Sequence, residues 1–372
     1  MARPLGVILG ALTKFTEVIK MERFSMKNYV TILLLILFVS CQNRKTNENK
    51  EYSTLITKID SISVNNGFNG VILVTKDTTT IYSKAFGYSD LENKTPMNME
   101  NQFVIGSISK QITAVLVLRE YEKENLALND KIIQYLPDIK QPWANEVTIY
   151  HLLVHTHGIV DLNKPLEFEL GAQFHYSQLG YELLAQILEK VTGKTFNELS
   201  TELFTEYGLK NTFHPDNKNY KNLVKGYEES ENGELEYCDN SLKNYVAAGA
   251  FISSAEDLNK WNVLLYSGKL INEKTLVLME TRYATRIHPI FDKIEYGYGL
   301  LFKKGENGIQ IGAFGYAPGF VSACYHYPKT NMNLVVLENT ARKLDNFKET
   351  FRVHTELMEL IKKRTPNIVY TK

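Results

Sequence analysis

Hydrophobic positions fall into three regimes along the 372-residue chain. Near the start, Tyr29 to Val39 is an unbroken stretch of mostly Leu, Ile and Val. Beyond it, short apolar runs separated by turn residues appear early and again late in the chain. Val71–Val74 and Thr80–Tyr82 flank Lys76-Asp77-Thr78. Ile309–Phe314, Phe320–Tyr327 and Leu334–Leu337 are preceded by Gly305-Glu306-Asn307-Gly308, and Pro328-Lys329-Thr330-Asn331 separates the last two. Runs of this length and punctuation read as strands. The middle keeps helical spacing: Gly180, Leu183, Leu184, Ile187, Leu188 and Val191 lie on one face ahead of Gly193, and Ser254-Ala255-Glu256-Asp257 opens a further helix with a capping-box pattern that Gly268 closes. Leu55–Ile62 predicts a first helix and Phe347–Ile361 a closing one. Strands at both ends with helices between predict an α/β (α+β) fold. One antiparallel sheet is built from both chain ends and flanked by helices, and a mostly helical lobe is inserted, with a ligand cleft between the two.

The first apolar stretch changes the picture of where the protein works. It follows Met26-Lys27, ends in Phe38-Val39-Ser40-Cys41 and is too short to cross a bilayer, which is the build of an export signal. Small Ser40 before Cys41 is similar to a bacterial lipoprotein signal, in which the cysteine becomes the lipidated first residue; an ordinary cleaved signal is the alternative. Residues 1–41 are therefore expected to be a signal segment with its start at Met26, residues 42–54 a flexible polar tether, and residues 55–365 the functional domain. The expected location is outside the cytoplasmic membrane, on the periplasmic or cell-surface face, held by the lipid alone.

Composition removes several function classes. Hydrophobic residues make up 44% and charged residues 23%, as in a folded globular protein. The 42 basic side chains balance the 42 acidic ones, leaving no field to attract nucleic acid, so a small-molecule or peptide substrate is the expected partner. Of the three cysteines, Cys238 and Cys324 can form a disulfide or stay as buried thiols, and no Cys-x-x-Cys pair suggests zinc. His151 and His155, four apart, have the spacing of two zinc ligands but lack the Glu of His-Glu-x-x-His. No metal or other cofactor is expected.

Candidate chemistry concentrates at Gly106-Ser107-Ile108-Ser109-Lys110, the one Ser-x-x-Lys string in the chain. It opens the apolar run Ile112–Leu118, which reads as a helix buried all round. Lys110 lies one turn after Ser107 on the same face. A serine hydroxyl needs a base before it can attack, and a lysine becomes that base when burial lowers its pKa. Free N–H groups at the helix start can hold an oxyanion. The plainer alternative is that Ser107 only caps the helix. A Ser-His-Asp triad would call for Gly-x-Ser-x-Gly, which Ser107 does not have.

Five segments in order resemble the class C β-lactamase, penicillin-binding protein, D,D-peptidase and esterase family. They are Gly106–Lys110 with Gln111-Ile112-Thr113-Ala114; His151–Ile159; Phe174-His175-Tyr176-Ser177-Gln178-Leu179-Gly180-Tyr181; Ala247–Leu258; and Pro318-Gly319-Phe320. The resemblance implies a β-lactamase/transpeptidase-like fold, with Ser107 as nucleophile, Lys110 as its partner and Tyr176 as proton shuttle. It places Gln178, Gly315 and Tyr316 at the substrate and oxyanion positions and makes His151 and His155 structural. Two positions depart from the family pattern. Gln178 stands for the usual Asn, and Ala313 for the Lys or His two residues before Gly315. The missing cation favours a D,D-peptidase or esterase over an efficient β-lactamase. The alternative is a binding or sensing lipoprotein that keeps the fold without the catalysis. On the export side, Cys41→Ala is expected to release the protein from the membrane fraction; retention measured by fractionation and immunoblot would count against lipidation.

Overall fold

The computed structural model describes residues 52–239, 245–305 and 308–363. The signal segment, Cys41 and the tether up to residue 51 lie outside the described residues. The chain divides into two units, Met1–Lys58 and Ile59–Lys372. The described part of the first is helical, and the second carries the sheet and the remaining helices.

A strand with no exposed position must be covered on both faces. The sheet is made of β1 (Gly70–Lys76), β2 (Thr79–Phe86), β3 (Ala284–His288), β4 (Asp292–Tyr296), β5 (Leu301–Gly305), β6 (Gly308–Ala317), β7 (Phe320–Tyr327) and β8 (Met332–Glu338). Every residue of β7 and β8 is buried, as are the first six of β1. Strand order is β2-β1-β8-β7-β6-β5-β4-β3, antiparallel throughout. The β1–β8 pair, Gly70 opposite Glu338 through to Lys76 opposite Met332, joins the two ends of the domain in one sheet.

The helices are α1 (52–65), α2 (Ser109–Glu122), α3 (Gln178–Thr192), α4 (Phe196–Glu206), α5 (Ala255–Tyr266), α6 (Glu273–Glu280) and α7 (Arg352–Lys362). Side chains of alternate strand residues point to opposite faces, and the contacts obey that rule. Thr75 Oγ1 donates to Asn259 Oδ1 of α5 at 2.7 Å, and Cys324 Sγ approaches Leu258 O of the same helix. On the other face Tyr327 Oη donates to Met358 O of α7, and the rings of Phe314 and Phe351 meet at 4.9 Å.

The helix α2 runs through the interior. Eleven of its fourteen residues are buried, so its polar side chains must be satisfied by protein. Thr113 Oγ1 donates to Ala247 O at 2.6 Å, Ser109 Oγ accepts from Phe251 N, and Gln111 Oε1 accepts from Trp261 Nε1. The segment around Val246–Ala250 thus serves as the backbone lining against which α2 is held.

The sheet from both ends and the helical insertion agree with the expected fold class, and the differences have local causes. The sequence pattern does not announce β3, β4 and β5, because their alternation is short and, in β3, inverted in polarity. There Ile287 faces solvent at 78% exposure while Arg286 is the more covered residue. The first helix runs 52–65 instead of 55–62 and takes up the last residues assigned to the tether. The closing helix breaks at Phe351 into a short turn, Phe347–Thr350, and α7. Ser254 does cap α5, but Asp257 does not close a capping box; its carboxylate accepts from Asn211 N and Thr212 Oγ1 instead. Cys238 and Cys324 are both free thiols, which removes the disulfide alternative.

Candidate active site

The turn that carries Ser107 is assembled from the backbone outward. Phe103–Val104 pairs with Ile252–Ser253, and Ile105 N–H donates to Phe251 O at 3.0 Å. The chain then makes a single tight turn, Gly106–Ile108, before α2 begins. Gly106 has φ +54°, and a Cβ there would lie 2.5 Å from the backbone nitrogen of Tyr316 and 2.8 Å from the Gly315 Cα. Only glycine lets this turn close onto β6. Ser322 Oγ fastens the contact by donating to Ile105 O at 2.9 Å. No side chain caps the turn or the start of α2, so Ser107 is not an N-cap and the plainer alternative is set aside.

Lys110 is fully buried on the first turn of α2. Its Nζ donates to Gln178 Oε1 at 2.6 Å and to Ala248 O at 2.7 Å, and lies 3.3 Å from Ser107 Oγ. The longer amide of Gln178 therefore still reaches the lysine. Burial drives the Lys110 pKa below the ordinary lysine range, with the phenol of Tyr176 and the carboxylate of Glu182 pulling the other way. Nζ also sits over the Tyr176 ring, 4.6 Å from its centroid.

Tyr176 just precedes α3, whose N-cap is Ser177. His155 holds this corner. Its Nδ1 accepts from Ser177 N at 3.2 Å, its Nε2 faces Tyr296 Oη at 3.1 Å, and its ring packs 4.6 Å from that of Tyr176. Burial keeps His155 neutral by driving its pKa well below the ordinary value. With Nδ1 accepting, Nε2 carries the proton and donates to the phenol. His151 is occupied locally, its side chain closing a capping box with Thr148. The two histidines are thus structural, and among the described residues no three His, Cys, Asp or Glu gather as a metal site.

A cavity of about 260 Å³ opens beside these groups, lined by Ser107, Tyr176 and Gln178 on one side and by Ala313, Phe314 and Tyr316 on the other. Tyr316 turns its hydroxyl away to Glu228 Oε1 at 2.6 Å, leaving its backbone as the part aimed at the Ser107 turn. Five of the expected residues, Ser107, Lys110, Tyr176, Gln178 and Tyr316, converge here with Gly315 behind them; Cys41 is outside the described residues. Sequence reading missed Arg286, Ala248, Glu182 and Tyr296. Ala248 acts through its carbonyl, which leaves no trace in residue type. Arg286 is hidden by the inverted polarity of its strand, which turns Ile287 outward.

The arrangement brings a hydroxyl, a desolvated amine and a phenol together at one cleft, which suits acyl transfer. A family model described as Beta-lactamase matches residues 57–358, and the chain belongs to that family. It is 26% identical over 338 residues to penicillin-binding protein 4* of Bacillus subtilis (strain 168), covering 79% of this chain and 72% of that protein. Teichoic acid D-alanine hydrolase of Staphylococcus aureus (strain MRSA252) is 26% identical over 277 residues, covering 69% and 68%. Among solved structures, D-amino acid amidase from Ochrobactrum anthropi SV3 complexed with D-phenylalanine aligns with TM-score 0.74 at 21% identity, over 84% of this chain and 99% of that one. Penicillin-binding protein from Bacillus halodurans aligns with TM-score 0.69 at 24% identity, over 81% and 98%. These structural likenesses bear on the fold.

Gly106→Ala forces the Ser107 turn off β6. The expected outcome is a loss of kcat/KM on an activated ester of roughly 100-fold or more, with about 1–2 kcal/mol less stability in urea unfolding. Activity within a few-fold of the parent would show that the close approach is dispensable.

Proposed function

We propose that this chain is a serine hydrolase that works through an acyl-enzyme on Ser107 and acts on amide, ester or peptide carbonyls of D-amino-acid derivatives in preference to β-lactams. One observation carries the reading. A neutral amine has two N–H groups and one lone pair. Once Lys110 is unprotonated, Gln178 Oε1 and Ala248 O take its two N–H groups, and the lone pair is left to accept from the Ser107 hydroxyl 3.3 Å away. Fixed acceptors orient the base before any substrate arrives.

In this mechanism Ser107 Oγ bonds to the carbonyl carbon as its proton passes to Lys110. The oxyanion is held by the N–H groups of Ser107 and Tyr316. Tyr176 delivers a proton to the departing nitrogen or oxygen and regains one from Lys110. Water then attacks the acyl carbon by the same route in reverse roles, releasing the acid and restoring the Ser107 hydroxyl. The D-amino-acid preference is supported by the names of two similar proteins, a teichoic acid D-alanine hydrolase and a D-amino acid amidase. Ala313, where the family usually has a cation, supports placing β-lactams second. The Cys41 anchor, proposed from sequence, would place the hydrolase outside the cytoplasmic membrane.

Intact-mass measurement after incubation with an activated D-alanyl ester is expected to show an acyl adduct that disappears in Ser107→Ala. Rapid turnover surviving in that variant would defeat the assignment, and a complete lack of adduct and turnover in the parent would favour the non-catalytic binding lipoprotein.

The lysine gives a pH signature. The base must be unprotonated, and burial lowers its pKa, so kcat/KM is expected to rise with pH along a limb whose midpoint lies below the ordinary lysine value of 10.5. Lys110→Arg is expected to cost on the order of 1000-fold and to abolish that limb. A flat profile in the parent enzyme would remove Lys110 as the base.

A further inference from the structure

The inverted strand β3 sets an arginine into the cleft with nothing to neutralise it. Ala284, Arg286 and His288 share the inward side of the strand, while Thr285 and Ile287 face out. The Arg286 guanidinium lies 4.7 Å from the Tyr176 ring centroid and 5.4 Å from that of Phe174. Its Nε is buried and without a hydrogen-bond partner, and among the described residues no carboxylate pairs with it. The neighbours that support its charge are the phenols of Tyr176 and Tyr296. Arg286 also lines the same cavity as Ser107, where none of the described lining residues is acidic. His288, the other titratable base on that wall, is held neutral by burial, its pKa lowered to about 3.

A planar guanidinium held in place by aromatic faces, with hydrogen-bonding groups unused, is preorganised for a carboxylate or phosphate. Leaving it unpaired and largely buried carries a cost in the empty protein that an anionic ligand would offset. The same cavity is also lined by the apolar Ala313, Phe314, Ile290 and Phe351. Resting on the proposed Ser107 chemistry, we infer that Arg286 is the specificity-determining cation of this cleft, selecting acyl substrates that carry an anionic group, carboxylate or phosphate, together with an apolar side group. Arg286 stands on β3, not at the β6 position of Ala313, and the anion is bound beside Tyr176.

The test separates this inference from the catalytic one by measuring binding where no turnover can occur. In a Ser107→Ala background, isothermal titration calorimetry compares N-acetyl-D-phenylalanine with N-acetyl-D-phenylalaninamide, ligands that differ only in the charge. The acid is expected to bind roughly 10- to 100-fold more tightly than the amide. Adding Arg286→Gln is expected to bring that ratio close to one, and Arg286→Lys to keep part of it. Phenyl phosphate serves as the second arm: binding tighter than the acid marks the anion as a phosphate, weaker binding marks it as a carboxylate. Equal affinity for acid and amide in the parent background, or an acid preference that survives Arg286→Gln, would overturn the inference. Should Arg286→Gln fail to fold, the salt dependence decides: the acid preference must shrink as KCl is raised from 0.05 to about 0.5 M, and a salt-independent ratio rejects the charge contact. Failure of acylation at Ser107 with the acid preference intact would instead remove the hydrolase reading and leave the anion site standing.

Discussion

The site depends on how one primary amine is kept out of water. Lys110 is buried on the most enclosed helix of the domain, where a bare charge would be costly. Its solution is geometric. One acceptor comes from α3, through Gln178, and one from the main chain at Ala248, so three separate stretches of sequence must be in register before the amine is satisfied. The same two acceptors fix the direction in which the amine meets Ser107. Stability of the interior and orientation of the Lys110 amine are thus one requirement, which explains why polar atoms are tolerated at the centre of an otherwise apolar helix.

Around that amine the aromatic residues act as a frame. Tyr176 is bounded by Lys110 on one side, by His155 on another and by Arg286 across its face. His155 in turn is held by Ser177 N–H and Tyr296. The second motif is therefore positioned by packing and by a neutral imidazole whose tautomer is set by its two partners, and none of these contacts requires a metal ion.

Much of this is legible in the residues. The buried α2 and the strands of the two ends emerge from periodicity, Ser107 and Lys110 from their spacing at the start of that helix, and Tyr176 from the family resemblance alone. The illegible parts are of two kinds. Backbone groups such as Ala248 O are invisible in a sequence, since every residue has a carbonyl. The strands β3 to β5 are short, and β3 exposes an isoleucine and covers an arginine, so a reading that assigns apolar residues to the inside cannot find it. At Gln178, which stands for the family's usual Asn, the extra methylene is absorbed, with a 2.6 Å bond to Lys110 retained. Ser107 also illustrates how type alone misleads, since serine favours helix caps and this one caps nothing.

The bond from Ser322 Oγ to Ile105 O spans 217 positions of sequence. Together with the fit of Gly106 against Tyr316, it makes the Ser107 turn depend on strands that emerge late from the ribosome. Loop closure over such a separation is slow, and the sheet cannot be completed from either end alone. A nascent chain therefore carries Ser107 for most of its synthesis without the β6 and β7 surroundings that fix its turn.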